Sequence, residues 1–274
     1  ATLFTTHATV LGRSIAGNGM PLYRDLTTYN ADDLARRFGV TAKHSIEKKA
    51  AANSDAFLTV SGITATECRY LLGHEVDVVT PNGFEDDFVW QDDDYRIKRE
   101  EARAALIAVA EACLGRKLQD NPLIVGTSGR YEFRNKGLDV LLEGMKRLAG
   151  LERLDREVVL YVMVPAANRG ARADLQKHLQ DPSQPIDGSQ WATHYLENMQ
   201  WDPIVRAIDG SPLADPASKV HVIFVPSYLD DRDGIFDKSY YELLVGMDLT
   251  LFPSYYEPWG YTPLESIAFS VPTV

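Results

Sequence analysis

The stretch that decides the fold is residues 122–166, PLIVGTSGRYEFRNKGLDVLLEGMKRLAGLERLDREVVLYVMVPA. It begins with a short apolar run that ends at a glycine-containing turn, continues with a helical pattern, and closes on a second apolar run. Short apolar runs that alternate with amphipathic helices are typical of βαβ units, in which the two strands lie parallel. The stretch therefore predicts an α/β fold with a parallel sheet.

The same alternation extends in both directions along the chain. Further strands are predicted at ATLFTTH (1–7), AFLTVS (56–61), VDVVTPNGF (76–84), KVHVIFVPSYL (219–229) and LTLFPS (249–254). Further helices are predicted at 33–54 (in one or two pieces), 62–73, 92–115, 239–247 and 262–270. The polar region 168–217, with two tryptophans, is helical in parts and reads as an insertion. The pattern breaks near residue 120, which predicts parts of two Rossmann-type domains joined there.

Composition excludes several classes of partner. The 274-residue chain has a formal net charge of −11 and a pI of about 5.0, which argues against binding to the phosphate backbone of a nucleic acid. No run of 18 apolar residues predicts a membrane span, and no secretory signal is recognisable. Cys68 and Cys113 are predicted to be buried or half-buried free thiols, which suits a cytoplasmic protein.

The loops that follow the predicted strands carry the candidate ligand-binding residues, because ligands of open parallel sheets bind at the carboxyl ends of the strands. In GRYEFRNKG, Arg130 and Lys136 would suit the diphosphate of a nucleotide sugar, or would form an ordinary solvated basic turn. In TTHATVLGR, His7 and Arg13 follow another strand, and His7 would bind a sugar hydroxyl or be structural.

The stretch YYEPWGYTPLES (255–266) sets two glutamates eight positions apart. Glu257 precedes a proline, and Glu265 lies about one turn into a helix entered through Pro263. A carboxylate near that helix end could accept two sugar hydroxyls. Alternatively, the stretch is a capping and packing motif with Trp259 and Tyr261 in the core. Tyr228 and Tyr240 could stack on a base or be ordinary tyrosines.

Five stretches together resemble glycogen synthase of the animal and fungal type. They are LFTTHATVLGR, EKKAAANSDAFLTVSGITATE, VTPNGF, GRYEFRNKGLDVLLEG and LFPSYYEPWGYTPLES, and they occur in family order across nearly the whole chain. The region 168–217 does not obviously match and is expected to be divergent. The resemblance implies a retaining glycosyltransferase of the GT-B type, with two Rossmann-like domains and a cleft between them. Residues 1–120 would be the C-terminal portion of the first, acceptor-side domain, and residues 121–274 the nucleotide-sugar-binding domain, truncated at its end.

The resemblance also implies a reaction and roles for residues. Glucose would pass from UDP-glucose to the 4-hydroxyl at the non-reducing end of glycogen or a related α-glucan, with retention and without a metal or other cofactor. The resemblance places Glu257 beside the donor glucose, Glu265 on the ribose hydroxyls, and Arg130 and Lys136 on the diphosphate. Arg13 and His7 would face the sugar from the other domain, and Tyr240 and Tyr228 would stack on the uracil. The loop by the phosphates would consist of Trp259, Gly260, Tyr261 and Thr262.

Three family features have no counterpart in the sequence: the lysine-glycine-glycine loop, the arginine-rich helix that responds to glucose 6-phosphate, and the C-terminal segment that crosses back to the first domain. We therefore expect a fragment truncated at both ends, with little or no activity by itself. A starch- or sucrose-synthase-like enzyme with another nucleotide sugar, and a non-catalytic nucleotide- or carbohydrate-binding module, stay open as alternatives. Homo-oligomerisation of the intact protein and its regulation also stay open.

Overall fold

The computed structural model describes residues 1–187 and 191–274, and these form two compact units. The first unit comprises residues 1–85, 134–136 and 254–261, and the second comprises residues 86–133, 137–253 and 262–274. These two units are defined by contacts in the folded chain, and each combines segments that are distant in sequence. The boundary predicted near residue 120 instead separates two domains that are consecutive in sequence. That boundary stays a prediction.

The first unit contains a three-stranded parallel sheet in the order β1-β2-β3. Its elements are β1 (Leu3–Thr6), α1 (Val10–Gly17), α2 (Leu22–Asp25), α3 (Ala31–Arg37), α4 (Thr41–Asn53), β2 (Ala56–Thr59), α5 (Gly62–Glu67) and β3 (Val78–Val79). Residues 33–54, predicted to be helical in one or two pieces, belong to two helices, α3 and α4, because Gly39 adopts a φ of +68° just after α3. A π-helical turn, Cys68–Leu72, follows α5 and ends at Gly73.

The second unit contains a four-stranded parallel sheet in the order β8-β5-β4-β9 and a two-stranded antiparallel pair, β6-β7. Its elements are α6 (Asp92–Leu114), β4 (Leu123–Ser128), α7 (Leu138–Ala149), β5 (Val158–Met163), β6 (Asn168–Ala171), α8 (Ala173–Gln180), β7 (His194–Leu196), α9 (Pro203–Ile208), β8 (Val220–Val225), α10 (Tyr240–Leu244), β9 (Leu249–Thr250) and α11 (Tyr261–Ala268). The parallel β4-α7-β5 unit predicted from residues 122–166 is confirmed.

Both faces of the second sheet are covered. Every residue of β5 is buried, and successive residues belong to two different hydrophobic clusters: Val159 and Tyr161 pack with α6, whereas Leu160 and Val162 pack with α7 and α9. A strand whose side chains enter a core on either side reads as a continuous apolar run, which is why the sequence of β5 shows no alternation.

The two cysteines and the longest helix also take part in hydrophobic packing. Cys68 and Cys113 are free thiols and both are buried, as predicted. The 23-residue α6 is amphipathic, with acidic residues in its first turn, where the helix dipole favours negative charge. Among residues 1–187 and 191–274, no helix is both long enough and apolar enough to cross a membrane.

Gly246 follows α10 and lies against the backbone of α6. A Cβ atom at this position would lie 2.7 Å from the backbone nitrogen of Arg103 and 2.8 Å from the carbonyl carbon of Ala102. Because helix backbone cannot move aside as a flexible side chain does, Gly246→Ala is expected to lower the free energy of unfolding by about 1–3 kcal/mol.

Gly144 provides the matched control for Gly246. It lies inside α7, and a Cβ atom there would have no neighbour within 4 Å. Gly144→Ala is expected to raise stability by up to about 1 kcal/mol, because alanine favours the helix. Denaturant unfolding of both variants measures the difference, and equal stability of the two would contradict the packing described here.

Candidate functional site

A pocket of about 420 Å³ lies at the carboxyl edge of the second unit's sheet. It is formed where the chain leaves β4, β5 and β8, together with residues of α10 and α11. The residues that line it are Ser128, Gly129, Arg130, Tyr131, Met163, Pro165, Ser227, Tyr228, Leu229, Tyr240, Thr262 and Glu265. Five of the residues predicted from the sequence therefore line one pocket: Arg130, Tyr228, Tyr240, Thr262 and Glu265.

Glu265 presents a partly buried carboxylate to this pocket. It is the fifth residue of α11, one turn into the helix, as the sequence predicts. The Tyr241 hydroxyl donates to its Oε1 atom at 2.9 Å. Burial raises the pKa of the Glu265 carboxyl, and the hydrogen bond from Tyr241 opposes part of this shift. The side chain is thus held in one orientation, with further acceptor capacity for a ligand.

The two candidate base-stacking tyrosines lie in different environments. Tyr240 begins α10, behind a capping box formed by Ser239 and Glu242, and its hydroxyl accepts a hydrogen bond from Ser128 Oγ at 2.8 Å. The strand predicted over 219–229 ends earlier, at Val225, so Tyr228, which is 75% exposed, lies three residues beyond the end of β8. The Tyr240 ring is fixed, whereas Tyr228 lies at the rim.

Arg130 supplies a cation to the wall of the pocket. It follows Gly129, whose φ of +135° is strained for residues other than glycine, and its guanidinium pairs with Glu132 at 3.4 Å. The Arg130 side chain is 69% exposed. The adjacent Tyr131 is anchored by a hydrogen bond from its hydroxyl to Asp202 at 2.7 Å. The guanidinium therefore stands on a fixed loop, and Glu132 would compete with an anionic ligand for it.

Lys136 and Glu257 form an ion pair within the first unit. The Lys136 ammonium donates to Glu257 Oε2, and Ser254 Oγ donates to the same oxygen at 3.2 Å. The two side chains are only 15% and 27% exposed. The backbone N–H of Tyr255 donates to the carbonyl of Asn135 at 2.9 Å, which joins the two chain segments beside the pair. The opposite charges are therefore set in place by neighbouring backbone.

His7 and Arg13 also belong to the first unit. His7 is exposed and directly follows β1, whereas Arg13 lies on α1 with its guanidinium 5.5 Å from the centre of the Tyr256 ring. Arg13 and Glu47 line a separate cavity of about 460 Å³. Burial raises the pKa of Glu47 to about 7, and its carboxyl accepts a hydrogen bond from the backbone N–H of Val10.

The loop between the two glutamates is only partly buried. Trp259 and Gly260 are half-buried, and Tyr261 is 42% exposed with its hydroxyl donating to the Gly83 carbonyl at 3.3 Å. Neither aromatic ring is enclosed as a core residue would be. Thr262 belongs to the second unit and lines its pocket.

Sequence reasoning missed two polar groups that the structure reveals. One is Tyr241, which holds Glu265, and whose only sequence signal is its position beside Tyr240. The other is the fully buried Glu67, which accepts hydrogen bonds from the hydroxyls of Thr9, Tyr23 and Tyr256. These partners lie 58, 44 and 189 positions away, so no local pattern could reveal them.

Within the ranges 1–187 and 191–274, no group of three or more histidine, cysteine, aspartate or glutamate residues could hold a metal ion. Whether the reaction proceeds without a metal depends on the bound donor as well as on the protein, so the metal-free reaction stays a prediction.

Comparison with known families assigns the chain. The family model described as glycogen synthase matches residues 1–179 and 185–274, which is almost the entire sequence. The chain belongs to the glycogen synthase family. The resemblance to this family stated from the five sequence stretches is thereby confirmed.

Relatives within the glycogen synthase family agree with the animal and fungal type. The chain is 28% identical to glycogen [starch] synthase isoform 2 of Saccharomyces cerevisiae and 27% identical to the liver glycogen [starch] synthase of Rattus norvegicus, and each match covers 100% of the chain. The matches cover 48% and 47% of those relatives, so the chain spans about half their length.

A solved structure supports the fold of this glycogen synthase family member. WaaG, a glycosyltransferase involved in lipopolysaccharide biosynthesis, superposes with a TM-score of 0.53 at 15% identity, over 99% of this chain and 55% of WaaG. At that identity the likeness concerns the fold alone. The predicted α/β fold of the GT-B type, with parts of two Rossmann-like domains, is confirmed.

The region 168–217 is helical in parts, as predicted. Its helices α8 and α9 bury Leu175, Ile204 and Ile208. The family match includes this region except for residues 180–184, and its divergence from glycogen synthases stays a prediction. Short amphipathic helices with few apolar residues give a weak periodic signal.

Proposed function

We propose that the protein containing this chain transfers glucose from UDP-glucose to the 4-hydroxyl at the non-reducing end of glycogen or a related α-glucan, with retention and without a metal. The observation that supports this most strongly is the pocket where Tyr240 and Glu265 meet at the carboxyl edge of a parallel sheet, in a chain of the glycogen synthase family. We also propose a cytoplasmic location.

The uridine half of the donor would occupy this pocket. Its volume of about 420 Å³ lies within the range of small-molecule sites. The Glu265 carboxylate would accept hydrogen bonds from the ribose hydroxyls, and the Tyr240 ring, with Tyr228 at the rim, would stack on the uracil. The phosphates would meet the backbone at the start of α11, where N–H groups are free of helical partners; the residues concerned are Trp259, Gly260, Tyr261 and Thr262.

Transfer would break the bond between glucose C1 and the phosphate oxygen and form a bond between C1 and the acceptor O4 on the same face of the sugar. The acceptor's hydroxyl proton would pass to the departing phosphate oxygen. Arg130 and Lys136 would offset the negative charge that accumulates on the diphosphate, while Glu257 would orient Lys136 and the donor glucose. His7 and Arg13 would hydrogen-bond the glucose hydroxyls.

The Lys136–Glu257 pair suits this role because its charges are already in place. Preorganised charges stabilise a transition state without the cost of reorienting solvent or side chains during the reaction. Low exposure strengthens their field on a nearby ligand, since little water screens it. An ion pair whose only role was to stabilise the fold would gain little free energy from partial burial, because the cost of removing the two charges from water offsets their attraction.

Donor choice tests the proposal against its nearest alternative. In assays of the full-length protein with an α-glucan acceptor, kcat/KM for UDP-glucose is expected to exceed that for ADP-glucose by at least about tenfold, which corresponds to about 1.4 kcal/mol of discrimination. Preference for ADP-glucose would favour a starch-synthase-like enzyme. UDP binding without any transfer would favour a non-catalytic module. The 274-residue chain alone is expected to be nearly inactive.

A further inference from the structure

The Glu67 carboxyl is the centre of a buried polar cluster in the first unit. It is 0% exposed and lies at the end of α5. Thr9 Oγ1 donates to its Oε2 atom at 2.6 Å, the Tyr256 hydroxyl donates to the same atom at 3.0 Å, and the Tyr23 hydroxyl donates to Oε1 at 3.0 Å. Burying a carboxyl group is costly unless hydrogen bonds compensate, so three donors indicate a closely determined arrangement.

Two of the three donors belong to segments that carry candidate catalytic residues. Thr9 is the N-cap of α1 and lies two residues after His7, while Tyr256 immediately precedes Glu257. The backbone N–H of Thr9 also donates to the Tyr256 hydroxyl at 3.2 Å, a link between residues 247 positions apart. Glu67 therefore holds the His7 loop and the Glu257 loop to one another within the first unit.

Tyr256 is held at both ends. Its hydroxyl lies in the Glu67 cluster, its side chain is 3% exposed, and its backbone N–H donates to the Asn135 carbonyl at 3.3 Å. Asn135 is the residue before Lys136. A shift of the Tyr256 ring would thus move the backbone beside both members of the Lys136–Glu257 pair.

The cluster leaves no room for rearrangement on the α1 side. A Cβ atom on Gly12 would overlap the Glu67 carboxylate and the Thr9 hydroxyl. The backbone N–H of Gly12 donates to Thr9 Oγ1 at 3.0 Å, so that one hydroxyl both caps α1 and donates to Glu67. The position of the carboxylate is therefore coupled to the start of α1.

We propose that Glu67 is a positioning residue for glucosyl transfer: through Tyr256 it sets the place of the Lys136–Glu257 pair, without touching the substrate. This inference rests on the proposed function for its kinetic consequence. The merely structural alternative is that the Glu67 cluster stabilises the first unit and nothing more. The two roles predict different results. In the positioning role, activity depends on the Tyr256 hydroxyl and not on the Tyr23 hydroxyl, whereas in the structural role the two hydroxyls are equivalent.

Tyr256→Phe and Tyr23→Phe form a matched pair for the test in the full-length protein. Each removes one phenolic hydroxyl that donates to Glu67, but only Tyr256 adjoins Glu257. Both variants are expected to lower the thermal midpoint. Tyr256→Phe and Glu67→Gln are expected to lower kcat by about 10- to 100-fold, with UDP affinity changed less than about twofold, whereas Tyr23→Phe should keep kcat within about twofold of the unsubstituted protein.

A second measurement keeps this inference separate from the proposed function. In protein labelled with ¹³C-lysine, the Lys136 signal, assigned with Lys136→Met, is expected to shift in Tyr256→Phe and Glu67→Gln but not in Tyr23→Phe. This result supports positioning even if the protein transfers no glucose, in which case only the proposed function fails. The inference is overturned if all three variants leave the Lys136 signal unchanged or shift it equally. It is also overturned if Tyr256→Phe and Tyr23→Phe lower kcat equally.

Discussion

Lys136→Met in the full-length protein is expected to lower kcat for glucosyl transfer by about 10²- to 10³-fold, the loss typical of removing one preorganised charge or donor from a transition state. Methionine keeps a long apolar stem but has no charge to offset the one that develops on the departing diphosphate. The KM for UDP-glucose should change less, because the pocket that is proposed to hold the uridine does not include Lys136. Initial rates at several donor concentrations separate the two effects.

Two further variants distinguish lost catalysis from lost stability. Lys136→Met leaves the Glu257 carboxylate without its cation, and a half-buried unpaired charge is destabilising. Adding Glu257→Gln removes that charge, so the double variant is expected to regain thermal stability but no activity. Lys117→Met is the surface control, since Lys117 pairs with Glu111 while its side chain is 88% exposed, and it should leave kcat unchanged. Recovery of activity in the double variant would contradict a catalytic role for Lys136.

The fold could be predicted largely from sequence because its signals are local. The β4-α7-β5 unit combines a helix of regular apolar spacing with the fully buried strand β5 and with β4, which is buried except at its two end residues. Even the break between α3 and α4 has a visible cause in Gly39. Region 168–217 could be predicted only as helical in parts, because its short helices bury few side chains and therefore give a weak periodic signal.

The candidate site could be predicted only in part, since its groups are joined over long distances in sequence. A loop that follows a strand indicated Arg130, and the starts of two predicted helices indicated Tyr240 and Glu265; the structure brings all three into one pocket. The ion pair between Lys136 and Glu257 spans 121 positions, and no periodicity indicates it. The Glu67 cluster was missed for the same reason. Hydrogen bonds among buried polar side chains depend on tertiary packing, which local pattern does not specify.

Glu265→Gln is expected to weaken UDP binding by about 10- to 100-fold, because hydrogen bonds to a charged acceptor contribute about 1.5–3 kcal/mol each and the amide presents only one acceptor oxygen. Isothermal titration calorimetry with UDP and with 2′-deoxy-UDP measures the effect. The unsubstituted protein should prefer UDP, and the variant should lose most of that preference. Tyr241→Phe, which removes only the hydroxyl that orients Glu265, should produce a smaller loss of the same kind.

The pH dependence of UDP binding follows from the same carboxyl group. Burial raises the pKa of Glu265 above its ordinary value of 4.5, and the ribose hydroxyls need the ionised form as acceptor. Protons and UDP therefore compete: affinity should be constant well above the raised pKa and fall as the pH decreases through it. Because glutamine does not titrate, this decrease should be absent in Glu265→Gln. An identical pH profile in the two proteins would place the ribose away from Glu265.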